Sequence, residues 1–84
     1  MYVNTFYIIL WYFLVMEIAK KIGNNLKEAR KFKGFTQREV AERMKMTQQQ
    51  YSRFENGVFE LNYAQIIFLC QLYEITPSEL FNIE

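Results

Sequence analysis

Residues 36–57 read Thr36-Gln37-Arg38-Glu39-Val40-Ala41-Glu42-Arg43-Met44-Lys45-Met46-Thr47-Gln48-Gln49-Gln50-Tyr51-Ser52-Arg53-Phe54-Glu55-Asn56-Gly57. Two helix starts lie inside this stretch. Thr36 followed by Glu39 has the capping-box form, in which the hydroxyl serves one orphan amide of the helix start while the Glu reaches back to another. Thr47 with Gln50 repeats it. The two helices predicted here, about 37–44 and 48–54, are joined by only about three residues, and so short a connection forces a sharp angle rather than an antiparallel hairpin. Val40, Ala41, Met44, Met46, Tyr51 and Phe54 are the apolar positions that such a pair must bury, with the small Ala41 where the helices approach most closely. Gln48, Gln49, Ser52 and Arg53 are left facing out. As 48/52 and 49/53 pairs they sit one turn apart on one surface, polar and uncharged except for Arg53, which suits base edges in a major groove.

Outward from this stretch the punctuation stays helical. Upstream, Ile18, Ile22, Leu26 and Ala29 share one face of a first helix, which Gly34 can close in a left-handed conformation. Downstream, Asn62-Tyr63-Ala64-Gln65 and Thr76-Pro77-Ser78-Glu79 start a fourth and a fifth helix, the last with Pro at the favoured first position. Tyr63, Ile66, Leu69, Cys70 and Tyr73 give the fourth helix a buried stripe, against which Ile75, Leu80 and Phe81 dock the fifth. No segment alternates as a strand, so the predicted fold is all-α with five helices.

An 84-residue chain has room for one core. It contains no His, no Asp and a single Cys, which excludes an internal disulfide, a Cys-rich zinc site and a Cys/His nucleophile pair. The prediction is a protein that is not an enzyme and that needs no cofactor or metal. The net charge of +1 hides a division along the chain. All ten Lys and Arg fall between Lys20 and Arg53 with only Glu28, Glu39 and Glu42 among them, a net of +7, whereas the segment from Phe54 onward carries five Glu and no cation. A basic half carried on an acidic half is the electrostatic footprint of a face that meets phosphate.

Residues 1–16 carry no charge and are dense in aromatics, with Tyr2, Phe6, Tyr7, Trp11, Tyr12 and Phe13. As a helix they reach about 24 Å, short of the roughly 30 Å hydrocarbon core of a bilayer. A secretory signal fits poorly, because Lys20 and Lys21 follow the apolar run instead of preceding it. The segment therefore divides as a hydrophobic extension, 1–16, from a domain of 17–84. Three readings of it stand: a stretch upstream of a true start at Met16, a membrane-associated anchor, or a packed or dimerising arm.

The residues Ile22-Gly23, Leu26, Ala29-Arg30, Gly34-Phe35-Thr36-Gln37, Val40-Ala41, Thr47, Ser52, Glu55-Asn56-Gly57, Tyr63, Ile66 and Ile75 to Leu80 resemble the lambda-repressor-like, Cro-type helix-turn-helix domains known as the XRE family. The likeness runs from Ile22 to Phe81. Thr47-Gln48-Gln49 followed by Phe54-Glu55-Asn56-Gly57 is similar to the recognition segment of lambdoid phage repressors. The resemblance implies that Gln48 and Gln49 read bases, that Gln37 and Asn56 bind phosphate, and that Arg30 and Glu55 form a partly buried ion pair. Two departures stand out. Lys45 occupies a turn position where the family favours Gly, so a left-handed backbone there costs roughly 1 kcal/mol. Val58-Phe59-Glu60-Leu61 lacks the family's basic residues and Pro, and suits a dimer contact better than a DNA contact.

The sequence thus predicts a transcriptional repressor, cytoplasmic and associated with the nucleoid. It binds double-stranded DNA at a palindromic operator as a homodimer, through Gln37, Thr47, Gln48, Gln49, Ser52, Arg53 and Asn56. The rival readings are an antitoxin that also neutralises a toxin partner, and a membrane-tethered or protein-binding adaptor that uses the fold without DNA.

Overall fold

Five helices make up the computed structural model, which describes residues 4–82. They are α1 (Thr5–Lys33), α2 (Gln37–Arg43), α3 (Gln48–Glu55), α4 (Tyr63–Tyr73) and α5 (Pro77–Leu80). No strand occurs among the described residues. The all-α, five-helix prediction holds, and so do the starts of α2 to α5. At α2 the Glu39 amide donates to Thr36 Oγ1 at 3.1 Å while the Thr36 amide donates to Glu39 Oε1 at 3.0 Å. Thr47 with Gln50, Asn62 with Gln65, and Thr76 with Glu79 close the same reciprocal box, each satisfying two amides that a helix start otherwise leaves unpaired.

The chain from α1 to α5 wraps one apolar centre made of Leu26, Val40, Ala41, Tyr51, Phe54, Leu69, Cys70, Tyr73 and Leu80. Leu26, Leu69 and Leu80 are fully buried, and each stabilises the fold by about 1.5–3 kcal/mol relative to exposure. Two tyrosines inside this centre resolve their polar ends on each other, the Tyr51 and Tyr73 hydroxyls lying 2.5 Å apart. Burial pushes the Cys70 thiol above its ordinary value, which suits a small apolar core side chain. The two ends of the domain are clasped where Asn25 Nδ2 donates to the carbonyl oxygens of Leu80 at 3.0 Å and Asn82 at 2.6 Å.

α1 does two different things along its 29 residues. Its C-terminal half buries Gly23, Leu26 and Arg30. At Gly23 the last turn of α3 comes so near that an added Cβ would lie 2.7 Å from the Phe54 carbonyl oxygen. Its N-terminal half is capped by Asn4, whose side chain accepts from the Phe6 amide at 2.9 Å, and it projects with every residue from Phe6 to Leu14 exposed. The helix crosses residue 16 without a break. Among the described residues no helix is long and apolar enough to cross a membrane.

Two details of the expected core are corrected. Tyr63 is 87% exposed rather than part of the α4 stripe. It is the first residue of α4, one turn short of Ile66, and the stripe it belongs to by spacing runs past the end of the core there. Phe81 stays 42% exposed although its neighbour Leu80 is fully buried, because the four-residue α5 has one inward position and Phe81 lies beyond its end.

The α2–α3 turn contains the strain that its sequence implied. Lys45 has φ 57°, a left-handed conformation in which a Cβ is crowded by the following carbonyl. Replacing Lys45 by Gly is expected to stabilise the domain by about 0.5–1 kcal/mol, the relief of strain being partly offset by the freer unfolded chain. Thermal melting checks this, with a rise of roughly 2–8 °C expected for a chain of this size.

Candidate nucleic-acid interface

The sharp α2–α3 angle follows from what the two helices bury. Val40 and Ala41 of α2 and Tyr51 and Phe54 of α3 face inward, with Met44 and Met46 half-buried against them. That packing turns the start of α3 outward, leaving Gln48 and Gln49 exposed on its first turn. Gln50 is exposed too, but its side-chain oxygen accepts from the Thr47 amide in the capping box. Gln37, the first residue of α2, lies alongside. Its Nε2 donates to Glu55 Oε1 at 3.0 Å, and Gln48 Nε2 approaches Gln37 Oε1 at 3.5 Å, the long limit of a hydrogen bond. At the other end of α3, Asn56 Nδ2 donates to the half-buried Ser52 hydroxyl at 3.3 Å.

Beneath this surface lies a buried charge cluster. Arg30 Nε donates to Glu55 Oε2 at 2.7 Å and Nη2 to Glu55 Oε1 at 3.2 Å, while Nη1 donates to the Phe35 carbonyl at 2.8 Å. Burial pushes the Glu55 carboxyl up, but hydrogen bonds from Arg30, Tyr51 and Gln37 and the Arg30 charge outweigh it, so the group sits below its ordinary value. No buried side-chain nitrogen or oxygen among the described residues lacks a partner. Such a closed network can be retained in a core, where a half-satisfied one would be costly. Glu55 thus adds no free negative charge beside α3, and it holds Gln37 next to Gln48.

With this geometry in place, a family model described as a helix-turn-helix domain matches residues 23–84. The chain belongs to that helix-turn-helix family. No curated protein and no solved structure matches it. A helix-turn-helix domain marks a DNA-binding regulator.

The helix-turn-helix domain gathers the sequence-predicted site residues unevenly. Gln37, Thr47, Gln48 and Gln49 cluster at the start of α3, and Ser52 and Asn56 pair one helical turn apart toward its end. Arg53 is drawn aside, its guanidinium lying 5.3 Å from the centre of the Phe59 ring, so it must leave that ring to reach a base. Of the lysines on α1, Lys33 is engaged with the exposed Glu74 at 2.8 Å, a surface pair that must open before Lys33 reaches a phosphate, whereas Lys31 is exposed. The Glu55–Gln37 bond and the Arg53–Phe59 stack were not readable from motif spacing, because both join side chains from different elements. No group of three or more His, Cys, Asp or Glu side chains that could hold a metal occurs among the described residues.

Proposed function

We propose that this helix-turn-helix protein is a transcriptional repressor that binds a palindromic operator as a homodimer, with α3 in the major groove. The observation that carries the reading is the trio at the start of α3: two exposed glutamines, Gln48 and Gln49, beside a third, Gln37, that Glu55 holds in place. A glutamine amide offers one donor and one acceptor that match N6 and N7 of adenine, and the first turn of a recognition helix approaches bases most closely. Gln37 and Asn56, at the first position of α2 and the C-cap of α3, serve in this reading as phosphate contacts that set orientation. Thr47 and Ser52 flank the reading face. Arg53 adds a longer reach at its far end. Two-fold symmetry then sets half-sites about one helical turn apart, and seven net positive charges in the DNA-facing half make affinity fall steeply with salt.

The dimer contact belongs on the opposite side of α3 from the glutamines. There Ile22, Phe54, Phe59, Leu61, Ile66 and Phe81 line an apolar groove of about 260 Å³, next to the loop that lacks basic residues. The protein acts where its operator lies, at the nucleoid in the cytoplasm.

The test begins with selection of an operator from random duplexes by the full chain. Gln48→Ala should then weaken binding by about 1–3 kcal/mol and relax the preference at one A·T pair near the outer end of each half-site. Gln37→Ala should weaken all sequences alike, since a phosphate contact carries no sequence information and a 3.5 Å approach is too long to orient Gln48. A uniform loss in Gln48→Ala, measured against every base pair at those positions, would remove Gln48 as a base reader.

A further inference from the structure

We propose that residues 5–16 insert into one leaflet of an anionic lipid surface, tethering the DNA-binding domain to it through α1. Nine consecutive side chains, Phe6 to Leu14, are each between 51% and 66% exposed, and nine successive residues cover every face of a helix. Together they leave on the order of 1,000 Å² of mostly apolar surface in water, well beyond the roughly 300–600 Å² of the largest patch on an ordinary monomer. A second copy of the chain does not cover it. A two-helix seam occupies a stripe of about 100°, and the rest of the circumference stays wet. An apolar medium that surrounds the helix covers all of it.

Length and charge fix how the segment meets that medium. Twelve helical residues rise about 18 Å, slightly more than half of the roughly 30 Å hydrocarbon core. The arm therefore reaches into one leaflet and does not cross, in keeping with the absence of a membrane-crossing helix among the described residues. Residues 4–16 hold no charge, and Lys20 and Lys21 follow about one turn later, both exposed. Two acids lie on this side of α1: Glu17, 3.9 Å from Lys20, and Glu60, which lines one cleft together with Lys20, while Lys21 is exposed. Cations at the root of an uncharged helix lie at headgroup level, where anionic lipid attracts them. Trp11 and Tyr12, about 6–8 Å along the helix from residue 16, have the amphipathic rings that favour the boundary between acyl chains and water. No Gly or Pro interrupts α1 from Thr5 to Ile22, so the arm and the domain are joined by unbroken helix.

Trp11 is the single tryptophan of the chain, so its emission reports on the arm alone. The full chain is mixed with vesicles of phosphatidylcholine, or of phosphatidylcholine with phosphatidylglycerol, some carrying brominated acyl chains. Emission should shift to the blue, bromine should quench it, and the protein should float with the vesicles. Lys20→Gln and Lys21→Gln should each weaken binding to the anionic vesicles about fivefold and leave binding to phosphatidylcholine unchanged. Ile9→Lys with Phe13→Lys should abolish flotation while the melting of the domain, read by circular dichroism, persists, since both side chains are exposed. A blue shift that grows with protein concentration without lipid, and that bromine leaves unquenched, would give the surface to a second copy and overturn the proposal. Unchanged emission, with protein left below the vesicles, would overturn it as well. Equal affinity for the two lipid compositions would overturn its anionic part.

Discussion

Arg30→Met alone, or Glu55→Leu alone, is expected to destabilise the domain by about 3–5 kcal/mol, a large part of the roughly 5–15 kcal/mol that holds a domain folded. Both partners are nearly inaccessible, at 8% and 5% exposure, so each single change leaves the other charge buried without its counter-ion. Arg30→Met strands a carboxylate whose remaining donors, Gln37 and Tyr51, are neutral. Glu55→Leu strands a guanidinium whose remaining acceptor is the Phe35 carbonyl. The double variant should cost far less than the sum, because a well-packed apolar pair replaces an ion pair at little net expense. A thermal-unfolding cycle over the four proteins measures the coupling, and additive losses would show that the two side chains act separately. The pair also sets an acid limit. Glu55 titrates below its ordinary value of 4.5, so the stability it confers is complete above that value and is lost as pH falls through its lower folded value. Glu55→Leu should lack this acid-dependent loss.

Gly57→Ala is expected to cost about 3 kcal/mol, and Gly34→Ala only about 1 kcal/mol. The two glycines have similar left-handed backbones, with φ of 74° and 82°, so the conformational part of the cost is shared. Their surroundings differ. An added Cβ at Gly34 meets nothing within 4 Å, whereas at Gly57 it would lie 2.7 Å from both the amide nitrogen and the Cα of Lys20. Those are backbone atoms of α1, which cannot swing aside as a side chain can. The exit of α3 would have to lift from α1, carrying Glu55 and Asn56 with it. Chemical denaturation of both variants checks the ratio, and equal losses would mean that the α3 exit moves freely.

What was legible in the sequence was what is local. Each capping box lies within four residues, so Thr36, Thr47, Asn62 and Thr76 announced their helices without reference to the rest of the chain, whereas the strain at Lys45 was legible only through the resemblance, because the family favours Gly at that turn. Tyr63 failed because periodicity gives a direction around a helix and not how far along it the core extends. The uncharged run before Met16 has no period at all, and the fact that it continues α1 comes from its Asn4 cap and from the lack of any helix-breaking residue. The interface was partly legible. The outward glutamines follow from spacing, but the hold of Glu55 on Gln37 joins residues 18 positions apart, and the stacking of Arg53 on Phe59 depends on the path of a loop.

The four capping boxes also bear on how fast the domain assembles. A box defines a helix start before any tertiary contact exists, which lowers the nucleation cost that makes short helices marginal in water. Small helical domains as a class fold in microseconds to milliseconds, and here the tight α2–α3 pair is local whereas α1 packs on α3, α4 and α5 across the chain. The hydrogen-bonded contact of longest range among the described residues is the clasp of Asn25 on Leu80 and Asn82, which joins residues 55 and 57 positions apart. Its loop-closure entropy must be met before α5 contributes anything. Folding should therefore end with α5 seating on α1, and the weakest amide protection against hydrogen exchange inside the domain should be found in that same helix.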